Sequence, residues 1–121
     1  MIRLSKNKEE GAVIDTTTYR YFEVAGVEDV PNGERIFLEI GENRIVLFNL
    51  AGHFWAIADV CTHDDGPLGD GEIEGNEIIC PRHGGRFDVR NGHATGLPAV
   101  QDAPSYPVRV ADGKIEIGIP G

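Results

Sequence analysis

Glycine and proline interrupt this chain at short intervals, and their spacing restricts the fold more than any other feature. The 121 residues include 16 glycines and 7 prolines. Both residue types destabilise helix interiors and favour turns. No window of about a dozen residues has the period of an amphipathic helix. The chain is therefore predicted to be all-β, with short strands forming a small barrel or sandwich of antiparallel sheets.

Apolar and polar residues alternate between the turns, as expected for half-buried strands. In the first such run, Ile36, Leu38 and Ile40 share one face. The Asp112-Gly113 pair is a strong hairpin signal, because both positions of that turn type need a positive φ. The predicted strands cover residues 34–40, 44–50, 53–60, 77–80, 106–110 and 114–119.

Length and charge exclude several classes of protein. A chain of 121 residues predicts one domain, here residues 21–121, preceded by a polar, threonine-rich arm at residues 1–20. The net charge of −9 argues against nucleic acid and anionic membranes as partners, since both would repel this surface. The excess of acidic groups lies in residues 21–79, which carry a net charge of −11. This acidic segment is either a solvated surface or a docking face for cationic proteins.

Cellular location follows from what the sequence lacks. There is no apolar run of about 18 residues that could span a membrane, and the N-terminal residues do not resemble a secretory signal. We therefore expect a cytoplasmic protein. Because the cytosol disfavours disulfides, Cys61 and Cys80 indicate metal binding or catalysis instead.

Two short segments contain both cysteines and two of the four histidines. Cys61 and His63 form Cys-x-His, and sixteen residues later Cys80 and His83 form Cys-x2-His. Each segment follows a predicted strand and opens into a glycine-rich loop. A structural zinc ion would accept two thiolates and two imidazoles, although zinc sites usually pair like ligands within one segment. A two-iron cluster, with both thiolates on one iron and both imidazoles on the other, is the alternative. A nucleophilic Cys–His pair fits two such similar loops poorly.

The surrounding sequence resembles the Rieske ferredoxins, especially the small soluble ferredoxins of bacterial aromatic-ring dioxygenase systems. The resemblance extends from Tyr21 to the C-terminus. The runs that carry it are HFWAIADVCTH at residues 53–63, Leu-x-Asp-Gly at 68–71, GNEIICPRHGGRFDV at 75–89 and GHATGLPA at 92–99.

This resemblance implies a Rieske fold with two cluster-binding loops at one tip, residues 61–69 and 80–87. It implies one [2Fe-2S] cluster, with Cys61 and Cys80 on one iron and His63 and His83 on the other. It also implies a third loop, around Gly96-Leu97-Pro98, that shields the cluster. The expected function is one-electron transfer from an NAD(P)H-dependent flavoprotein reductase to a terminal oxygenase, with the histidine edges as the exit point.

Departures from the family's high-potential members affect the expected potential. Those proteins have a disulfide between the loops, where this chain has Gly66 and Arg82, and hydroxyl donors where it has Gly85 and Phe87. Fewer donors leave the reduced cluster less stabilised, so we expect a potential near the low end of the Rieske range, toward about −150 mV.

Other functions and residues remain open at this point. The chain leaves no room after residue 100 for a catalytic iron domain, so it is expected to be an oxygenase component and not an enzyme. Alternatives are a Rieske subunit or regulator of another redox enzyme, such as nitrite reductase, and a zinc-stabilised interaction module. Asp64 and Asp65 are either surface residues or groups that tune the neighbouring imidazole or meet a lysine or arginine of a partner. Arg82 and Arg86 place positive charge beside the cluster loop, where they are either solvated or support the reduced cluster, and His53 and His93 are expected to be exposed at turns.

Overall fold

A computed structural model describes residues 2–4 and 19–120. The regular elements in these residues are strands, together with one short 3-10 helix at Val27–Asp29. The strands are β1 (Ile2–Leu4), β2 (Tyr19–Gly26), β3 (Arg35–Ile40), β4 (Asn43–Leu50), β5 (His53–Ala58), β6 (Glu72–Glu74), β7 (Glu77–Ile79), β8 (Arg86–Asp88), β9 (Ala94–Gly96), β10 (Ser105–Tyr106), β11 (Val108–Ala111) and β12 (Lys114–Pro120). The all-β prediction is confirmed.

The strands form three sheets. A five-stranded sheet has the order β1-β3-β4-β5-β10, a three-stranded sheet the order β11-β12-β2, and a four-stranded sheet the order β6-β7-β8-β9. Neighbouring strands are antiparallel, except that β1 pairs with β3 in parallel. Two-residue turns join β3 to β4, β4 to β5, β6 to β7 and β11 to β12, and each contains a glycine with positive φ.

Strand β4 lies at the centre of the molecule, because both of its faces are buried. Ile45 and Leu47 pack toward the three-stranded sheet, whereas Val46 and Phe48 pack in the opposite direction. All four side chains are at most 1% exposed. A strand that is buried on both faces has a continuous apolar run instead of alternation, and each buried side chain of this size contributes about 1.5–3 kcal/mol.

The second face of β4 belongs to a core cluster that also contains the two cysteines. Cys61 and Cys80 pack there with Leu68, Ile78 and Phe87, and both thiols are almost completely buried. This cluster fills the space between the five-stranded and four-stranded sheets. The ends of β5 and β7, which lead into the two predicted loops, are therefore held together by shared apolar packing.

One predicted strand, residues 106–110, is wrong. The structure divides it at Pro107 into β10, which pairs with β5, and β11, which pairs with β12. Proline has no N–H to donate to a strand ladder, while its carbonyl accepts the Gly118 N–H at 2.9 Å. The chain thus passes from one sheet to another at this residue.

Strands outside the predicted set are β1, β2, β6, β8 and β9. Within the predicted arm of residues 1–20, Ile2–Leu4 form β1, and Tyr19 and Arg20 begin β2. The remainder of that arm lies outside the described residues, and the boundary between arm and domain stays a prediction. In residues 2–4 and 19–120, no helix is long and apolar enough to cross a bilayer.

Candidate metal centre

The structure brings the four sequence-predicted ligands together at one end of the molecule. Loop 1 (residues 61–69) follows β5, and loop 2 (residues 80–87) follows β7 and enters β8. The imidazole rings of His63 and His83 lie 4.8 Å apart between centroids, in an edge-to-face arrangement of 78°. The two histidines are exposed and the two cysteines are buried below them.

Both loops have the same backbone frame. In each, the cysteine N–H donates to the carbonyl five residues later, that of Gly66 or Gly85, at 2.7 Å. The residue four positions after each cysteine has a positive φ, 61° at Asp65 and 76° at Gly84. Glycine and aspartate are among the residue types that tolerate this left-handed conformation. The histidines occupy different places in this frame, the third position of loop 1 and the fourth of loop 2.

Both cysteine thiols are free and pack in the same buried cluster. Burial raises the pKa of the Cys61 thiol, and its contact with Cys80 acts in the same direction. Burial also opposes ionisation of Cys80, but the backbone N–H of Arg82, the Cys61 thiol and the N–H of His83 donate to its sulfur and lower its pKa. The backbone N–H groups of His63 and Asp64 act on the Cys61 thiol in the opposite direction, but burial outweighs them there. Of the two thiols, Cys80 is therefore the one whose surroundings favour the negative charge that metal ligation requires.

A cross-loop ion pair joins the two loops above the cysteines. Arg82 donates to Asp64 through Nε at 2.7 Å and through Nη2 at 2.9 Å, and its Nη1 donates to the Pro67 carbonyl at 2.7 Å. The Arg82 guanidinium and the Gly66 N–H hold the pKa of Asp64 well below its usual range. The same carboxylate lies 3.0 Å from the outer nitrogen of His83.

Gly66 provides the space for this ion pair. A Cβ at that position would lie 2.8 Å from the guanidinium carbon of Arg82. Gly66 and Arg82 are the two positions at which high-potential relatives have cysteines according to the resemblance, so an ion pair occupies the region between the loops that a disulfide would otherwise cross.

Two further residues hold the end of loop 1, and sequence reasoning missed both as supports. The carboxylate of Asp59, only 7% exposed, accepts the N–H groups of Leu68 and Gly69 at 2.9 and 2.6 Å. From the opposite side, Arg35 Nη1 donates to the carbonyls of Gly69 and Gly71 at 2.6 and 2.7 Å. In each case the sequence signal is a charged residue at the end of an apolar strand: Arg35 begins β3, and Asp59 follows β5.

A third loop (residues 97–101) lies beside the other two. Ala99 packs against Gly85, where an added Cβ would approach to 3.0 Å, and Thr62 donates a hydrogen bond to the Gln101 carbonyl. Leu97 and Val100 are each 80% exposed. The structure thus places residues 99 and 101 against the two loops, while shielding of the cluster by Gly96-Leu97-Pro98 stays a prediction.

The donor set fits two metal ions better than one. The thiols lie in the same core cluster, and the imidazoles lie beside each other at the surface, so like ligands are paired in space although they are mixed in sequence. In the part of the chain that the structure describes, no three Cys, His, Asp or Glu side chains converge on a single point. Thiolates below and imidazoles above suit a two-iron cluster with a different ligand type on each iron.

The comparison with protein families agrees with this donor chemistry. A family model described as the Rieske [2Fe-2S] domain matches residues 20–107. The chain is a member of the Rieske [2Fe-2S] domain family. The cofactor of such a domain is one Rieske-type [2Fe-2S] cluster, as the sequence predicted.

Similar proteins extend over most of this Rieske domain. The ferredoxin component of the naphthalene 1,2-dioxygenase/salicylate 5-hydroxylase systems of Ralstonia sp. is 34% identical over 98 residues, which cover 81% of this chain and 94% of the relative. The ferredoxin of carbazole 1,9a-dioxygenase from Nocardioides aromaticivorans IC177 superposes with a TM-score of 0.76 and 29% identity, over 80% of this chain and 95% of that chain. A chain in the complex of reduced oxygenase and oxidized ferredoxin of carbazole 1,9a-dioxygenase gives a TM-score of 0.75 and 26% identity, over 80% and 91%.

The other candidate histidines of this Rieske domain lie outside the site. His53 is the first residue of β5 and its ring lies 6.1 Å from that of Trp55, and His93 is exposed in the turn before β9. Arg86 pairs with Glu74 and Glu77 on the four-stranded sheet, at 3.0 and 3.2 Å. Of the two arginines beside loop 2, only Arg82 therefore forms an ion pair between the loops.

Proposed function

We propose that this Rieske protein is the ferredoxin component of a multicomponent oxygenase system and carries single electrons to a terminal oxygenase. Its relatives are named as ferredoxin components, and one similar chain comes from a complex of an oxygenase with its ferredoxin. The single observation that carries the proposal is the pair of imidazoles held side by side at the surface above two buried thiols. The protein itself is a carrier and has no catalytic role in this scheme.

We assign Cys61 and Cys80 to one iron and His63 and His83 to the other. Sulfur ligands that are buried and surrounded by backbone N–H donors suit the inner iron. Imidazoles bind through one neutral nitrogen and direct the other outward. These four residues would hold the cluster, which would supply reversible one-electron redox chemistry. The residues of the chain hold it at the surface and keep water away from its sulfur-ligated side.

The exit point for the electron is the exposed histidine edge. The His83 side chain is 43% exposed, and the apolar residues Leu97 and Val100 lie on the adjacent third loop. Apolar side chains in this position release their water when a partner covers them. The two proteins can then approach closely, so the distance between the two redox centres is short. We propose that a terminal oxygenase docks on this tip.

The electron donor in this scheme is an NAD(P)H-dependent flavoprotein reductase. A reduced flavin gives up two electrons, so it loads two carrier molecules in turn, and each delivers one electron to the oxygenase. We place this exchange in the cytoplasm, where the nicotinamide cofactor is available and where two free cysteines stay reduced.

The test is the metal content and spectrum of the anaerobically purified protein. We expect about two iron and two sulfide per chain, a coloured oxidised form, and a Rieske-type EPR signal after dithionite reduction. His63→Ala should abolish that signal, because it removes one imidazole from the outer iron. His53→Ala, at an exposed position outside the site, is the matched control and should retain it. A colourless protein with one zinc ion, or a Rieske signal in His63→Ala, would contradict the proposal.

A further inference from the structure

A carboxylate of one loop contacts a proposed ligand of the other. Asp64 belongs to loop 1, and its Oδ2 lies 3.0 Å from Nε2 of His83 in loop 2. His63 makes no ion-pair contact of this kind with the described residues, although its ring lies beside that of His83. The two imidazoles are therefore supported differently.

The contact has a chemical consequence for His83. When Nε2–H donates to a carboxylate, the proton stays on that nitrogen, and Nδ1 presents its lone pair inward. Carboxylates that hold metal-binding histidines in this way fix the tautomer and the ring orientation, and they strengthen the imidazole as a donor. A stronger donor and a nearby negative charge both stabilise oxidised iron relative to reduced iron.

Arg82 controls how much of that negative charge acts on the site. Its two nitrogens bind the Asp64 carboxylate at 2.7 and 2.9 Å, and its third anchors it to the Pro67 carbonyl. The carboxylate is thereby held in one orientation and partly neutralised. The side chains of Asp64 and Arg82 are 26% and 34% exposed, so water screens the pair only in part.

We propose that Asp64 is a positioning residue for His83 and that Arg82 is its counter-charge, so that the two together set the reduction potential of the protein. This inference rests on the ligand assignment under the proposed function. Asp64 stabilises the oxidised form through His83, and Arg82 opposes this by neutralising the carboxylate. Substitutions of the two partners therefore act on the potential with opposite signs.

The experiment is a redox titration of the iron-loaded variants. Asp64→Asn should raise the midpoint potential, with an increase of about tenfold in the equilibrium constant for reduction, or about 59 mV for one electron. Arg82→Gln should lower the potential, because the bare carboxylate remains beside His83. A structural role alone would loosen the loops in both variants and would not produce shifts of opposite sign. Shifts in the same direction, or none, would overturn the inference.

The matched control is Asp65→Asn, which removes the same charge one residue further along loop 1. Asparagine tolerates the positive φ of this position. We expect a much smaller shift than in Asp64→Asn, because no contact joins Asp65 to His83 in the described structure. An equal shift would mean that the charge acts in a general way and not through His83, and this too would overturn the proposal.

A fourth variant tests the role of Arg82 without removing any charge. Gly66→Ala leaves every charge in place, but its methyl group would displace the Arg82 guanidinium. The potential should then fall as in Arg82→Gln, and an unchanged potential would count against the role of Arg82. Iron content and the EPR signal of the unsubstituted protein test the proposed function separately from the role of Asp64 and Arg82. If the cluster is absent there, the proposed function fails; if it is present and the potentials do not respond, only this inference fails.

Discussion

Asp59 is a buried charge whose partners are all backbone groups. It accepts the N–H groups of Leu68 and Gly69, which would otherwise be unpaired in the interior at the end of loop 1. An unsatisfied buried donor costs about 1–3 kcal/mol. One side chain therefore stabilises the place where the metal-binding loop returns to the sheet.

We predict that Asp59→Ala lowers the free energy of unfolding by about 2–4 kcal/mol, because it leaves two buried donors without a partner. Thermal unfolding of the iron-loaded protein, followed by circular dichroism, measures the effect. Asp70→Ala removes an exposed carboxylate from the same region and should leave the melting temperature nearly unchanged. Equal stabilities of the two variants would contradict the role of Asp59.

The four proposed ligands were identifiable from sequence, whereas their supports were not. Cysteine and histidine at fixed spacing indicate metal binding by their chemistry alone, and the structure places both pairs at the same end of the molecule. Arg35, in contrast, is separated from its acceptors Gly69 and Gly71 by more than thirty positions. Such a contact depends on the packing of the sheets and leaves no local pattern. The ligand set, its division between the two irons and the low potential stay predictions.

Among the elements, strand prediction succeeded where a strand was long or ended in a clear turn. β3, β4, β5 and β12 were located to within one or two residues. The three-residue strands β6, β8 and β9 are too short to establish a period of two. β2 was missed although Phe22 and Val24 alternate with exposed or half-buried neighbours. Pro107 was a signal for the break between β10 and β11, because proline ends strand pairing.

The third loop is the element to which we assign docking of the oxygenase. We predict that Leu97→Gln weakens binding to the partner oxygenase about tenfold, because a polar group in the contact must lose its water without gaining an equivalent partner. Calorimetry with the oxygenase measures the affinity, and the reduction potential should not change.

Val110 provides the control for this prediction. It is another exposed large apolar residue, 50% accessible, on β11 of the three-stranded sheet. Val110→Gln should bind the oxygenase as the unsubstituted protein does. If both substitutions weaken binding equally, or if neither does, the partner does not dock on the third loop.

At the scale of the whole molecule, the acidic groups and the apolar core occupy different parts of the fold. The net charge is −9, and residues 21–79 contribute most of the acidic groups. The interior, in contrast, consists of two apolar clusters that share strand β4. The acidic groups therefore do little for the core, but they give the surface a field that orients approaching proteins.

We predict that electron transfer from the reductase slows as salt is added. At an ionic strength of about 0.15 M, charges farther apart than about 8 Å are largely screened, so the association rate should fall several-fold from its value at low salt. Stopped-flow reduction at a series of sodium chloride concentrations measures this. A rate that is constant or increases with salt would exclude acidic steering of the reductase.

The burial of Cys61 and Cys80 affects how the protein is made. These thiols are part of the second apolar cluster, at 0% and 2% exposure, and so they help to close the interior between two sheets. A chain that folds before it receives iron encloses both proposed sulfur ligands and must reopen that region to be loaded. The proposed histidine ligands stay accessible at the surface. Loading on the sulfur side is therefore coupled to folding, whereas the imidazoles can bind metal without any rearrangement of the core.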